Sequence, residues 1–149
     1  MPRPTRMHAL DSMTRTVVVA NPRLPLDAAW RAMTDRRIRH LPVVDGGRLV
    51  GILSDRDVLL RASLDDDGRI IVPGIEVGLV MSTPPVVCER HTTLSDIART
   101  MIERKIDALP VVDDARLIGL LTSTDLLALL VDQSEEEPLP FAYELEDVA

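Results

Sequence analysis

Aromatic side chains are almost missing from this chain, with one Trp, one Tyr and one Phe among 149 residues. A core built without rings must be made of Val, Leu, Ile, Met and Ala. The single cysteine, Cys88, excludes an internal disulfide and suits a reducing compartment. The longest apolar run, Leu126-Leu127-Ala128-Leu129-Leu130-Val131, is far too short to span a bilayer. Residues 1–11 lack the apolar centre of a signal peptide. A cytoplasmic protein is the expectation, with no membrane partner. The length suits one compact domain or two small lobes and is enough to bury a core.

Lysine is scarce too: of 17 basic residues 16 are Arg. The net charge of -7 comes from one end, since residues 132–149 hold seven acids and no base, whereas residues 1–131 hold 17 of each sign. A neutral body with an acidic tail argues against nucleic acid as a main partner, because binding a phosphate backbone needs a basic face. Small anions remain possible where Arg clusters locally.

What the chain does have is itself twice over. Residues 13–59 and 81–127 align without a gap at a constant offset of 68, and 19 of the 47 pairs are identical. Leu41-Pro42-Val43-Val44-Asp45 falls on Leu109-Pro110-Val111-Val112-Asp113, Gly51 on Gly119, and Asp57 on Asp125. A tandem repeat with two copies implies two similar units packed on each other around a pseudo-two-fold axis, with a shared cleft.

Both copies read in the same order. A lead-in (7–13 or 75–81) precedes a β-branched run, Val17-Val18-Val19 or Val86-Val87. A helical pattern follows. In the second copy Thr93 and Asp96 predict a capping box, and Ile97, Ala98, Met101 and Ile102 recur at helical spacing. Ala28, Ala29, Ala32 and Met33 play that part in the first. Two short strands come next, 41–44 with 49–53 and 109–112 with 117–121, joined by Asp45-Gly46-Gly47 and Asp113-Asp114-Ala115 turns. A second helix is predicted to start near Asp57 or Asp125. The fold expected is therefore α+β, two β-α-β-β-α repeats: residues 7–63 and 75–131, with a linker at 64–74 and a flexible acidic tail at 132–149.

At Ile38-Arg39-His40-Leu41-Pro42-Val43-Val44-Asp45 and Gly51-Ile52-Leu53-Ser54-Asp55-Arg56-Asp57-Val58-Leu59, and at the equivalent 106–113 and 119–127, the sequence resembles the cystathionine-β-synthase (CBS) domain. The tandem pair is similar to a Bateman module. The resemblance implies a regulatory module rather than an enzyme, without a cofactor of its own. It further implies a ligand such as AMP, ADP, ATP or S-adenosylmethionine, a homodimer shaped as a flat disc, and a signal passed to an effector protein.

Read physically, a strand ending at Thr122 and running into a helix presents unpaired N–H groups where a phosphate could settle. Thr122 and Thr124 add hydroxyls, and an ionised Asp125 can accept two hydrogen bonds from neighbouring ribose hydroxyls. By resemblance Asp125 is the ribose carboxylate, with Thr122 and Thr124 serving ribose and phosphate. Thr122-x-x-Asp125 and Ser54-x-x-Asp57 read equally as capping boxes, and capping alone would explain them. The first copy groups Ser54, Arg56 and Asp57 with Arg39 and His40, two guanidiniums and an imidazole for phosphates. The second has Asp107 in place of Arg39, an acid that repels a polyphosphate unless Arg39 reaches across the cleft. The site at Asp57 is expected to be the stronger phosphate site. Ile38, Ile106, Ile52 and Leu120 are candidates for an adenine slot, or plain core.

Other residues suggest less. Cys88 and His91 lack a second acid or His nearby for catalysis or metal binding. His8 reads as a partnerless surface residue, and Trp30 as a packing or dimer contact. Arg36-Arg37 and Arg104-Lys105 read as solvated helix ends. In the tail, Pro138-Leu139-Pro140-Phe141-Ala142-Tyr143-Glu144-Leu145 suits either disorder or docking into a partner groove.

Overall fold

Two antiparallel hairpins, one per repeat, carry the fold of the computed structural model, which describes residues 7–133. In chain order the elements are α1 (Ala9–Ser12), α2 (Leu26–Arg36), β1 (His40–Asp45), β2 (Arg48–Ser54), α3 (Asp55–Leu59), β3 (Ser63–Leu64), β4 (Ile70–Ile71), β5 (Cys88–Glu89), α4 (Leu94–Arg104), β6 (Ala108–Asp113), β7 (Arg116–Thr122) and α5 (Ser123–Gln133). A single 3-10 turn, Val77–Leu79, lies between β4 and β5.

The hairpins β1–β2 and β6–β7 match residue for residue. Each slips register at the same place, between Val43 and Val44 and between Val111 and Val112, so Val50 and Ile118 are the extra residues of equivalent bulges. A two-residue turn that follows the twist of its strands needs positive φ at both central positions. Gly46 and Gly47 adopt 56° and 79° freely; Asp114 and Ala115 take 50° and 64° instead. At Ala115 that conformation costs about 1–2 kcal/mol. Helix α4 begins at the predicted cap, the Thr93 hydroxyl accepting the Asp96 N–H at 3.2 Å, but the capping box is only half made, since the Asp96 carboxylate accepts Arg99 Nη1 at 3.3 Å instead. Helix α2 starts after Pro25 with no side-chain cap.

Two apolar clusters form the core, one per hairpin. Their membership departs from the order read in the sequence. Ala9, fully buried, and Met13 pack in the second cluster beside Cys88, Ile97, Met101, Leu109, Val111 and Leu121. Val77, also fully buried, packs with Ile75, Val80 and Met81 in the first, beside Leu26, Met33, Leu41, Val43 and Leu53. Each lead-in thus serves the other repeat. Backbone bonds fix the exchange: Thr14 and Leu120 trade N–H···O bonds at 2.9 and 3.0 Å, and Ser82 and Ile52 do so at 2.9 and 3.1 Å.

Two further expectations are revised. Val17-Val18-Val19 form no strand; only Ala20 pairs with the hairpin, through Pro42 O and Val44 N–H, both at 2.9 Å. The chain there is still crossing from the second repeat, where Thr14 is tied, back to the first. Residues 64–74 are more than a linker, because β3 and β4 pair as a ribbon whose turn is held by the Asp65 carboxylate accepting the N–H groups of Asp67 and Arg69 at 2.9 and 2.8 Å. The aromatic tail segment at Phe141 and Tyr143 lies outside the described residues.

Candidate functional site

Because the lead-ins cross over, residues of both repeats meet in two adjoining cavities of about 310 Å³ each. In the cavity at Asp125, the β7–α5 junction (Leu120, Thr122, Ser123, Thr124, Asp125) faces Thr14, Thr16, Val17, Val18 and Arg37 to His40 of the first repeat. In the cavity at Asp57, the β2–α3 junction (Ile52, Ser54, Asp55, Arg56, Asp57) faces Ser82, Pro84, Val86 and Lys105 to Ala108 of the second. Under the offset of 68 the two linings correspond almost position by position.

Each site as grouped within one copy is therefore extended: Ser54, Arg56 and Asp57 share a cavity with Arg39 and His40, and both cavities also draw on the other repeat. Asp125 shares its cavity with Ile38, Arg39 and His40, and Asp57 shares its own with Ile106, Asp107 and Ala108. The apolar walls pair crosswise as well, Ile38 with Leu120 and Ile52 with Ile106. Three residues line both cavities: Arg39, His40 and Asp107. All thirteen residues singled out from the sequence thus line one cavity or the other. Sequence reasoning missed Arg37 and Lys105, which end α2 and α4 in left-handed backbone at φ 53° and lean into the cavities rather than standing only in solvent. It also missed Thr14, Thr16, Ser82, Pro84 and Val86, a signal hidden by assigning each lead-in to its own repeat.

Both aspartates cap their helices and still keep an oxygen for a ligand. Ser54 N–H donates to Asp57 Oδ2 at 2.8 Å, and Asp57 N–H returns a bond to Ser54 Oγ at 3.1 Å. Thr122 N–H and Oγ1 both donate to Asp125 Oδ2, at 2.9 and 3.1 Å, while Asp125 N–H donates to Thr122 Oγ1 at 3.3 Å. The three bonds that the carboxylates accept all end on Oδ2; among the described residues Oδ1 of each accepts none. Capping and ligand binding are therefore not rival readings here, since the cap orients the carboxylate that a diol would meet.

Arg39 is the hinge of the electrostatics. Its Nε lies 3.3 Å from Asp55 Oδ2 and its Nη2 3.9 Å from Asp107 Oδ2, with two thirds of the side chain exposed. Arg39 and Asp107 are equivalent positions of the two repeats, so one guanidinium and one carboxylate stand where symmetry would give two alike. Burial holds the His40 imidazole below its usual pKa of 6.5, and Arg39 adds to this, against the opposing pull of Asp55, Asp107 and Asp57. At neutral pH His40 is thus a neutral donor or acceptor.

Elsewhere the chemistry is structural. Cys88 is buried in the second core, donates weakly to Pro110 O at 3.7 Å, and is pushed by burial up to about 11. His8 is not partnerless: its ring stands edge-on to His91 at 6.2 Å and its backbone N–H donates to Asp11 Oδ2 at 2.9 Å. Trp30 is half-buried against the first core. Among the described residues no group of three His, Cys, Asp or Glu is arranged to hold a metal, and no helix is long and apolar enough to cross a membrane.

The family model of the CBS domain matches residues 9–63 and 76–132. The CBS domain-containing protein YhcV of Bacillus subtilis is 33% identical over 117 residues, covering 78% of this chain and 80% of its own length. The transcriptional repressor CcpN of the same organism is 42% identical over 97 residues, which are 61% of this chain but only 44% of the repressor. Among solved structures, CBSX2 in complex with AMP superimposes with a TM-score of 0.74 at 30% identity, covering 86% of this chain and 99% of that one.

Proposed function

The chain belongs to the CBS-domain family, and from that premise we propose that it is a regulatory module that binds an adenine nucleotide in the cavities at Asp57 and Asp125 and relays occupancy to a partner protein. The observation that carries this reading is the repeated combination in each cavity. A pair of aliphatic walls suits a flat base, a capped carboxylate with a spare oxygen suits a ribose diol, and nearby cations suit phosphate. The AMP complex of CBSX2 supports the same ligand class for a chain 30% identical to this one. A ligand bridging segments of both repeats would stabilise one geometry of the pair over another. A coupling of about 1–3 kcal/mol suffices to report it.

Exposed Ile102 on α4 and Leu127 and Leu130 on α5 support association of two copies. They equally favour a second reading, an interaction scaffold that binds no small molecule. A thermal-shift screen with AMP, ADP, ATP, S-adenosylmethionine and NAD separates the two. A ligand of the native state at a hundredfold excess over its Kd adds about 2.7 kcal/mol and raises the melting temperature by several degrees. If no ligand moves the melting temperature, the scaffold reading stands in its place.

A further inference from the structure

Two pseudo-equivalent cavities share a single guanidinium at the position between them. Arg39 lines both, while its counterpart Asp107, which also lines both, is an acid. The two side chains approach to 3.9 Å at Nη2, and Asp55 Oδ2 lies 3.3 Å from Nε of the same guanidinium. The remaining cations are divided unequally: Arg56 and Lys105 belong to the cavity at Asp57, Arg37 to the cavity at Asp125.

We propose that Arg39 is shared, so that a phosphate-bearing ligand taking it into one cavity strips it from the other and the two cavities bind such ligands with negative coupling. The cavity at Asp57 fills first, because it keeps Arg56 and Lys105 and Arg39 already leans on Asp55. The second cavity must then accept its anion beside Asp107, which has lost its counter-charge. An unpaired carboxylate beside a phosphate is a repulsion that one Arg fork could have offset. The cost is specific to charge. A nucleoside without phosphate has no use for Arg39 and fills both cavities independently.

This inference rests on the nucleotide reading above, and calorimetric titration separates their failures. With ADP the intact chain gives one event and a second weaker by about tenfold or more, within the range of ordinary site–site coupling. Adenosine gives two events of similar affinity. Asp107→Arg, which restores a guanidinium for each cavity at a half-exposed position, brings the second ADP event to within about threefold of the first, a residue of the coupling range. Asp107→Asn, which removes the repulsion and supplies no cation, narrows the gap only in part and leaves the second event the weaker. Two equal ADP events in the intact chain, or a second event unmoved by Asp107→Arg with its melting temperature retained, overturns the sharing while leaving nucleotide binding intact. No heat with either ADP or adenosine overturns both.

Discussion

A β-carbon on Gly51 would stand 2.9 Å from the Ser82 carbonyl oxygen, a backbone atom that bonds the next residue of the same strand, Ile52, at 3.1 Å. The pseudo-equivalent Gly119 faces Thr14 O at 3.0 Å and Met13 Sδ at 2.5 Å. The repeats are interlocked at these two points, and only a residue without a side chain lets the crossing segments come so close.

Gly51→Ala is therefore expected to destabilise by about 1–3 kcal/mol, the usual cost of overfilling a packed contact. The Ser82–Ile52 bridge must open to admit the methyl group, which also loosens the floor of the cavity at Asp57. Gly46→Ala, in the hairpin turn with nothing within 4 Å, meets only the backbone penalty of positive φ. Urea denaturation of both variants checks the order. A Gly51→Ala protein no less stable than the Gly46→Ala protein contradicts the interlock.

On the proposed function, Asp57→Ala and Asp125→Ala each remove the acidic half of a capping box and the carboxylate offered to ribose together. Loss of the carboxylate's bond to the N–H three residues earlier costs about 1–3 kcal/mol of stability. Loss of charge-assisted bonds to ribose costs about 1.5–3 kcal/mol, or roughly ten- to a hundredfold in AMP affinity at that cavity. Thr93→Ala is the control, because Thr93 caps α4 away from both cavities. It is expected to lower stability comparably and leave AMP affinity unchanged. With ATP the larger loss belongs to Asp57→Ala; a larger loss in Asp125→Ala reverses the ranking of the two cavities.

The hairpins, the Thr93 cap and the second-copy helix were legible in the sequence, because alternation, turn chemistry and helical spacing are local signals. The exchange of lead-ins was not. Ala9 and Val77 read the same whichever core receives them, and periodicity within a segment says nothing about which copy it packs on. For the same reason sequence reasoning reads Arg39 and His40 with Asp57, although they also line the cavity at Asp125, and names the four apolar wall residues without dividing them between the cavities. Val17-Val18-Val19 misled for a related reason: β-branched residues favour a strand only where a strand edge waits for them. The neutral state of His40 lies deeper still, since it depends on burial that only the assembled repeats provide.

His40 makes stability and binding depend on pH. Its pKa in the folded chain lies below the unfolded value of 6.5, so between those two pH values the unfolded chain holds the extra proton. Stability is therefore full above about pH 6.5 and falls as pH drops through the window beneath it. A phosphate in either cavity favours the imidazolium and draws the pKa back up, so nucleotide affinity rises as pH falls through the same window. Imidazole proton resonances followed from pH 8 to 5, with and without ADP, check both signs. A His40 midpoint above 6.5 in the free protein contradicts the account.

Cys88 should behave as an inert core thiol. With its pKa raised to about 11 and its sulfur buried, little thiolate exists at neutral pH. Labelling by a disulfide reagent at pH 8 is expected to be slow in the native protein and to become fast in denaturant. Fast native labelling would mean that the second core opens readily around β5.

The most direct test of the central claim is calorimetric titration of AMP into the intact chain and into the Asp57→Ala, Asp125→Ala double variant. The account predicts saturable binding by the intact chain and its loss in the double variant, which should remain folded by circular dichroism. Equal binding by both proteins, or no saturation by the intact chain at millimolar AMP, contradicts it.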